Sequence, residues 1–270
     1  MNFIFIILTF LISAVIARIL IPRILLISLR KKLFDIPDDR KIHKRAIPRL
    51  GGVSFFPTTL FAFCLVYAFR LLDGDSISTL YASYLLPELL LFACGMTLLY
   101  LTGIADDLVG VRYRQKFAIQ IFCACLFPLS GLWINDLYGL FGIHELSAYV
   151  GIPFTVLTVV FITNAINLID GIDGLASGLS SVALLVFTFL FISKGLWSYA
   201  MLSAGTFGVL VPFFYYNVFG SVERARKIFM GDTGSLTLGY TLSFLAIKSA
   251  STTRISCLTP KAPFSSLSAP

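Results

Sequence analysis

Long apolar runs recur along almost the whole chain, with short polar segments between them. A helix crosses a bilayer with about 20 apolar residues, whereas a β-strand needs only about 10 residues of alternating character. Most of the runs exceed strand length and do not alternate, so helices are the expected spanning elements. With 57% hydrophobic and only 13% charged residues among 270, the chain is also too apolar for a soluble domain. We therefore predict an all-α, polytopic integral membrane protein.

The runs predict about eight transmembrane helices in a single domain, residues 1–250, followed by a polar tail, residues 251–270. The predicted spans are 2–21, 53–71, 85–104, 117–134, 150–166, 176–193, 197–216 and 236–249. Lys and Arg are concentrated in alternate connections, at 29–50, 112–116 and 224–227. Because basic residues favour the cytoplasmic side, these connections are predicted inside and the N-terminus outside. The polar motifs described next then all fall on the cytoplasmic face.

Four polar side chains interrupt the apolar sequence at a regular step of three residues. They are Asn164, Asn167, Asp170 and Asp173. Amides and carboxylates at such a depth are costly unless they meet a cation, water or each other. A regular α-helix would turn the first and the last to opposite sides, whereas a 3₁₀ turn or a glycine-broken loop would bring all four together. We expect a broken segment that lines a polar site; a glycine-rich turn with incidental polar residues is the alternative.

Two adjacent acids, Asp106 and Asp107, end the third predicted span. They repel each other and oppose the dipole of their own helix, so a helix-capping role explains them poorly. A divalent cation would relieve both costs, and carboxylate oxygens suit Mg²⁺, which usually adds waters and substrate phosphates as further ligands. Asp232, just before the last span, offers another metal ligand. The sequence therefore predicts a magnesium site.

Two glycine-containing segments could approach a phosphate. In the first, His43, Arg49 and the Gly51-Gly52 backbone follow one another in the basic connection; the alternative is that this connection only fixes the topology. In the second, residues 229–235, Thr233 or Ser235 is expected to cap the last helix, whose N-terminus would favour a phosphate.

These motifs together resemble those of a known family. They are His43…Pro48-Arg49-Leu50-Gly51-Gly52, Asp106-Asp107, Asn164-x-x-Asn167-x-x-Asp170-Gly171-x-Asp173-Gly174-Leu175-Ala176 and Phe229-Met230-Gly231-Asp232-Thr233-Gly234-Ser235. With its motifs in this order, the chain resembles the bacterial polyprenyl-phosphate N-acetylhexosamine-1-phosphate transferases, which form glycosyltransferase family 4. The first motif looks like that of the N-acetylglucosaminyl branch, since the muramoyl-pentapeptide branch usually has Pro-Thr-Met-Gly-Gly there.

The resemblance implies transfer of N-acetylglucosamine 1-phosphate, or a related N-acetylhexosamine 1-phosphate, from a UDP-sugar to a polyprenyl phosphate, with release of UMP. It implies Mg²⁺ as cofactor, with Mn²⁺ as a substitute, and a location in the bacterial cytoplasmic membrane. The expected partners are the polyprenyl phosphate, the UDP-N-acetylhexosamine and membrane lipid, with no nucleic acid; a homodimer is left open.

The resemblance also implies roles for individual residues. The catalytic acids would be Asp106, Asp107, Asp170 and Asp232, of which Asp107 and Asp232 are associated with the metal and Asp106 is the acid usually discussed as a base. The substrate-binding residues would be His43, Arg49, Lys116, Asn164, Asn167, Gly171, Asp173, Asn217 and Phe229, with the Phe229 ring stacked on uracil.

Several alternatives stay open at this stage. A phosphate monoester has a second pKa of about 6, so the lipid phosphate needs little help from a base, and we expect in-line displacement rather than a covalent aspartyl intermediate. Relatives continue for further spans with a His-rich cytoplasmic loop, so an inactive, truncated homologue is a second interpretation. A transporter is the third, although acids at the ends of the spans argue against it.

Overall fold

The computed structural model of the protein describes residues 2–31, 33–35, 47–73, 76–221 and 224–251. His43 and the predicted polar tail after Ser251 lie outside the described residues.

Eight long helices follow one another close to the predicted positions. They are α1 Asn2–Arg30, α2 Phe55–Leu72, α3 Ser76–Val109, α4 Tyr113–Leu129, α5 Ala148–Ile169, α6 Leu175–Ser193, α7 Trp197–Val218 and α8 Gly231–Ser251. The ends differ most in α1, which continues through Pro22 to Arg30, and in α3, which begins at Ser76; α8 also begins early, at Gly231. The remaining elements are two 3₁₀ turns, Leu50–Ser54 and Leu140–Gly142, and a short antiparallel pair of strands, β1 Phe34–Asp35 and β2 Ile47–Pro48.

Six segments of the described chain are long and apolar enough to cross a membrane. They are α1, the first 3₁₀ turn with α2, Leu85–Val109 of α3, α5, α6 and α7. This supports a multi-pass helical membrane protein. The other two long helices, α4 and α8, are not among these six segments. Helix α4 has only 17 residues, and α8 is rich in Ser, Thr and Gly because it is enclosed by other helices. The count of eight spans and the predicted orientation stay predictions.

Helix α8 is the centre of the bundle, and nearly all of its side chains are buried. It packs mainly against α5 and α3, with α6 and the first 3₁₀ turn completing the enclosure. Glycines let these helices approach closely: a Cβ at Gly103 would lie 2.4 Å from the Thr233 Cα, and one at Gly239 would lie 2.7 Å from the Thr163 Cα. Such close contacts are typical of helix pairs in membranes, where van der Waals packing replaces the hydrophobic effect.

The motif-bearing ends of the helices meet at one end of the bundle. There, the segment after β2 is joined to the N-terminus of α8 through its backbone. The Phe229 N–H donates to the Pro48 carbonyl at 2.8 Å, the Gly51 N–H to the Phe229 carbonyl at 2.9 Å, and the Gly52 N–H to the Met230 carbonyl at 2.8 Å. Gly52 is required at this junction because a Cβ would lie 2.1 Å from the Gly234 Cα.

An ion pair joins α3 to α8 at the opposite end of the bundle. The Lys248 ammonium donates to both carboxylate oxygens of Glu88, at 2.9 and 2.7 Å, and the Tyr199 hydroxyl donates to the same carboxylate. The ammonium also lies 4.8 Å from the centre of the Tyr199 ring. Both charges are largely buried, with 8% of the Lys248 side chain and 15% of the Glu88 side chain exposed. This cluster was not predicted from the sequence.

We expect Glu88→Gln to lower the free energy of unfolding in detergent by about 3 kcal/mol, because it removes a negative charge that is hydrogen-bonded to a buried ammonium. Glu88→Leu combined with Lys248→Met should recover most of that loss, since it removes both charges. The matched control is Glu145→Gln, an exposed position. Equal stability of Glu88→Gln and the wild type would contradict a stabilising role for the pair.

Candidate active site

The N-terminus of α8 is capped by carboxylates that other elements supply. Asp107, near the end of α3, accepts hydrogen bonds from the Asp232 N–H at 2.8 Å and from the Thr233 N–H at 2.9 Å, and also from the Thr233 hydroxyl at 2.6 Å. The Gly231 N–H donates to the Asp170 carboxylate. The first N–H groups of a buried helix have no partners within that helix, so these two acids satisfy groups that would otherwise be costly.

This arrangement corrects two expectations from the sequence. Neither Thr233 nor Ser235 caps α8, because the helix begins earlier, at Gly231, and the Thr233 hydroxyl donates to Asp107. The N-terminus is also not open to a phosphate, because carboxylates already occupy its N–H groups. Asp107 is a helix cap after all, but of α8 rather than of its own helix.

Gly231 is needed for the acids to reach the helix. Its φ is +73°, a conformation that L-residues with side chains rarely adopt. A Cβ there would lie 2.1 Å from the Arg49 carbonyl oxygen and 2.8 Å from the oxygens of Asp107. The glycine thus permits both the turn and the approach of the carboxylate.

Lys116 connects two of the predicted acids. Its ammonium donates to Asp106 at 2.9 Å and also to Asp232. The other oxygen of Asp106 accepts the Val111 N–H at 2.7 Å, which fixes the turn between α3 and α4. About a quarter of the Asp232 side chain is exposed, at 24%, against 13% for Asp106 and 15% for Lys116. Asp232 is therefore the most accessible of these three charges.

The first two amides of the polar motif lie on α5, which is regular up to Ile169. The Asn167 amide donates to Asp232 at 2.6 Å and to the Ser235 hydroxyl at 2.7 Å. Asn164 lies one turn earlier and forms a mutual amide pair with Gln120 of α4. The glycine-broken loop that the sequence predicted does occur, but it comes after Ile169, because Asn164 and Asn167 lie on regular α-helix rather than in a 3₁₀ turn.

Asp170 ends α5 and carries a strongly perturbed carboxyl group. Its pKa is raised from 3.8 to about 8. Burial is the largest cause and the negative charges of Asp232 and Asp107 add to it, while the Gly231 N–H and the Arg49 charge partly oppose the shift. A carboxyl group in this state holds a proton at neutral pH unless a cation enters the cluster. The chemistry of the site thus fits a bound cation.

Asp173, the last polar residue of the motif, and the Gly174 that follows it both have partners within the protein. Asp173 accepts a hydrogen bond from the Lys227 ammonium at 2.5 Å, and Gly174 adopts a φ of +74° at the start of α6. The Asn217 carbonyl oxygen accepts the Gly174 N–H at 2.7 Å, and its amide donates to the Ile228 carbonyl at 3.0 Å. Asn217 is buried and joins two backbone segments; its predicted role in substrate binding stays a prediction.

Three other predicted residues lie around the same end of the bundle. Gly171 is exposed in the turn between α5 and α6. Phe229 is partly buried and its backbone pairs with the segment after β2, while Arg49 in that segment is close enough to Asp170 to affect its pKa. Their predicted roles towards a substrate are not tested by these contacts.

Three further residues make contacts in the site that were not predicted from the sequence. Thr233 bonds Asp107, Ser235 bonds Asn167, and Lys227 pairs with Asp173. Lys227 could have been found as the basic residue closest before the Phe229 motif. The described residues contain no group of three or more His, Cys, Asp and Glu side chains placed to hold a metal.

More than half of the chain matches the model of a known protein family. The model of glycosyl transferase family 4 matches residues 89–250, which contain almost all of the residues of the candidate active site. The chain belongs to glycosyl transferase family 4. The resemblance drawn from the four motifs is thereby confirmed at the level of the family.

Relatives within glycosyl transferase family 4 carry two kinds of name. A probable undecaprenyl-phosphate N-acetylglucosaminyl 1-phosphate transferase of Bacillus subtilis is 32% identical over 243 residues, 90% of this chain and 62% of the relative. An undecaprenyl-phosphate alpha-N-acetylglucosaminyl 1-phosphate transferase of Yersinia pestis is 29% identical over 82% of this chain and 57% of the relative. A phospho-N-acetylmuramoyl-pentapeptide-transferase of Staphylococcus carnosus is 30% identical over 92% of this chain and 76% of the relative. The chain spans about three-fifths of the length of the first two.

We expect Asp107→Asn to destabilise the protein even without ligand, by about 1 to 2 kcal/mol, because one carboxylate oxygen is replaced by an NH₂ group that faces the N–H groups of α8. The measurement is unfolding in detergent in the absence of divalent cations. Asp73→Asn, at an exposed position, is the matched control. Unchanged stability would contradict the capping role of Asp107.

The raised pKa of Asp170 gives a pH dependence with a definite sign. The folded protein holds the Asp170 proton up to a pH of about 8, while the unfolded chain releases it at about 4. Folding therefore takes up a proton between these values, so this group makes the folded state less stable as the pH rises from 4 to 8. Asp170→Asn should remove that slope in unfolding measured without divalent cations. The control Asp136→Asn should keep it, and an equal slope in both variants would rule out Asp170 as its source.

Proposed function

We propose that the protein transfers N-acetylglucosamine 1-phosphate from a UDP-sugar to a polyprenyl phosphate and releases UMP. One structural observation carries the proposal: Lys116 and Asn167 converge on Asp232 beside the carboxylates at the N-terminus of α8. The names of relatives that align over most of this chain support the same chemistry.

The cluster suits a reaction between two anions. A lipid phosphate and a UDP-sugar diphosphate repel each other, so their encounter needs positive charge in a site of restricted water access. Lys116 supplies one fixed positive charge between Asp106 and Asp232, and Arg49 lies near Asp170. Because the Lys116 ammonium is bound to two carboxylates, it also keeps a defined position when substrates bind and leave.

Magnesium is part of the proposal, with Mn²⁺ as the substitute. Burial and the neighbouring carboxylate charges together keep Asp170 protonated, and a divalent cation would relieve the part that is due to those charges. We propose Asp232 as the main ligand because its side chain is more exposed than that of Asp106 and already faces Asn167. Asp107 would contribute negative charge and hold the Asp232 backbone in place through its hydrogen bonds. When bound, Mg²⁺ would neutralise phosphate oxygens as charge develops on them.

The residues around the cluster would bind and orient the two substrates. In this proposal Phe229 stacks on the uracil, while Gly171 and Asp173 border the nucleotide. Asp106, paired with Lys116, acts mainly through its charge, and the lipid phosphate displaces UMP directly without a covalent aspartyl intermediate. Because the lipid phosphate is largely a dianion at neutral pH, it is nucleophilic without a strong base.

The donor sugar has a second candidate. The relative from Staphylococcus carnosus is named for transfer of phospho-N-acetylmuramoyl-pentapeptide and aligns with more of its own length than the other two. The segment Pro48-Arg49-Leu50-Gly51-Gly52 favours the N-acetylglucosaminyl branch, and this segment bonds directly to the residues around Phe229. We therefore propose UDP-N-acetylglucosamine as the donor.

The membrane arrangement belongs to the same proposal. With eight spans and the N-terminus outside, the motif-bearing end of the bundle faces the cytoplasm, where the UDP-sugar is found. The membrane would be the bacterial cytoplasmic membrane. The basic residues beside this end, including Arg30, Arg112 and Arg224, support that orientation.

Membranes containing the chain should exchange labelled UMP into UDP-N-acetylglucosamine when polyprenyl phosphate and Mg²⁺ are present, because transfer of the sugar phosphate is reversible. Asp232→Asn should slow the exchange about a hundredfold or more, since it removes the proposed ligand for the cation. UDP-N-acetylmuramoyl-pentapeptide serves as the competing donor.

The outcomes separate the candidates clearly. Exchange with the muramoyl-pentapeptide donor alone would assign the other branch of the family. Absence of exchange with either donor would contradict catalysis by this chain. Phosphorylated protein after incubation with the UDP-sugar alone would contradict direct displacement.

A further inference from the structure

An amide pair joins α4 to α5 below the candidate active site. The Asn164 amide donates to the Gln120 carbonyl oxygen at 2.6 Å, and the Gln120 amide donates back to Asn164 at 3.4 Å. The second N–H of the Asn164 amide donates to the Val160 carbonyl at 2.8 Å. Gln120 is almost fully buried, with 2% of its surface exposed. Both N–H donors of Asn164 are thus used within the protein.

The amide pair lies one helical turn deeper in the bundle than Lys116 and Asn167, the two side chains that converge on Asp232. On α4, Gln120 follows Lys116 by four residues, and on α5, Asn164 precedes Asn167 by three. Residues at these spacings lie on the same face of a helix, one turn apart. Lys116 and Asn167 both donate to the same oxygen, Oδ1, of Asp232. One turn deeper, the same two helix faces are joined by the amides.

We propose that Gln120 and Asn164 are positioning residues that fix α4 against α5 and so determine where Lys116 and Asn167 meet Asp232. Asn164 then acts through Asn167 and Asp232 rather than by contact with the substrate, contrary to the role that the family resemblance implied. The inference rests on the proposed function for its catalytic consequence, but the pairing and its effect on Lys116 are independent of it.

Directional hydrogen bonds suit this task better than apolar packing. Apolar side chains between two helices tolerate a small axial slide, whereas a slide of one turn, about 5.4 Å, breaks both amide bonds and leaves buried polar groups without partners. Single polar contacts between apolar helices are known to fix register. Because Asp232 binds Lys116 and Asn167 through one oxygen, a slide of α4 along α5 would separate those donors.

The kinetic test uses single, double and exchanged variants in the UMP exchange assay. Gln120→Leu and Asn164→Leu should each lower kcat by about tenfold to a hundredfold, the effect of misplacing reacting groups by a fraction of an ångström to one ångström. The KM for UDP-N-acetylglucosamine should change little in both. The exchanged pair, Gln120→Asn with Asn164→Gln, keeps both amides and their combined length, and should recover most of kcat.

A second measurement does not depend on catalysis. Acylation of Lys116 by a water-soluble acetyl ester, followed by mass spectrometry without substrates, reports how firmly the ammonium is held between Asp106 and Asp232. Labelling of Lys116 should increase severalfold in both single variants and return towards the wild type in the exchanged pair. Lys194, at the other end of the bundle, is the internal reference. Thr158→Val is the matched control on α5, because that hydroxyl donates only to its own helix at Phe154.

Different results would overturn the inference in different ways. A rise in KM with Asn164→Leu but not with Gln120→Leu would assign Asn164 to the substrate. Lower stability of the single variants with unchanged Lys116 labelling would make the pair merely structural. If wild-type membranes show no exchange, the proposed function fails, while the labelling results still decide whether the amide pair positions Lys116.

Discussion

The N-terminus of α8 is enclosed by other helices, so its first N–H groups need partners from elsewhere in the chain. Asp107 and Asp170 supply those partners from α3 and from the end of α5. Because these acids satisfy the backbone, the Asp232 side chain remains available to Lys116 and Asn167. The capping of one buried helix thus brings together the ends of α3 and α5, and the Asp232 side chain adds α4 through Lys116.

The acids that cap α8 also leave an excess of negative charge in the site. Four carboxylates meet at one end of the bundle, and Lys116 with Arg49 neutralises only part of their charge. Burial, together with the negative charges of Asp232 and Asp107, raises the pKa of Asp170 to about 8, so this carboxyl group keeps its proton at neutral pH. Under the proposed function, Mg²⁺ bound at Asp232 would reduce this repulsion and bind phosphate oxygens of the substrates.

Much of the fold could be predicted from the sequence, because apolar runs and alternating basic connections depend on simple local composition. The ends of α6 and α7 were placed within a few residues, whereas α8 was placed too late, since Gly231 and Asp232 look like loop residues until Asp107 is known to cap them. The motifs located the site, but the partners did not follow from spacing: the pairing of Gln120 with Asn164 depends on how α4 faces α5. The cluster of Glu88, Tyr199 and Lys248 could not be found because its members are far apart in sequence.

Helix α3 holds α8 at both of its ends, and in each case through an acid. Asp107 binds the positive end of the α8 dipole, and Glu88 binds Lys248 in its last turn, about 28 Å away along the helix axis. Because the two contacts lie at opposite ends of the helix pair, an axial slide of α3 along α8 would break both of them. The position of Asp232 relative to Asp107 is thus fixed from both ends of α8.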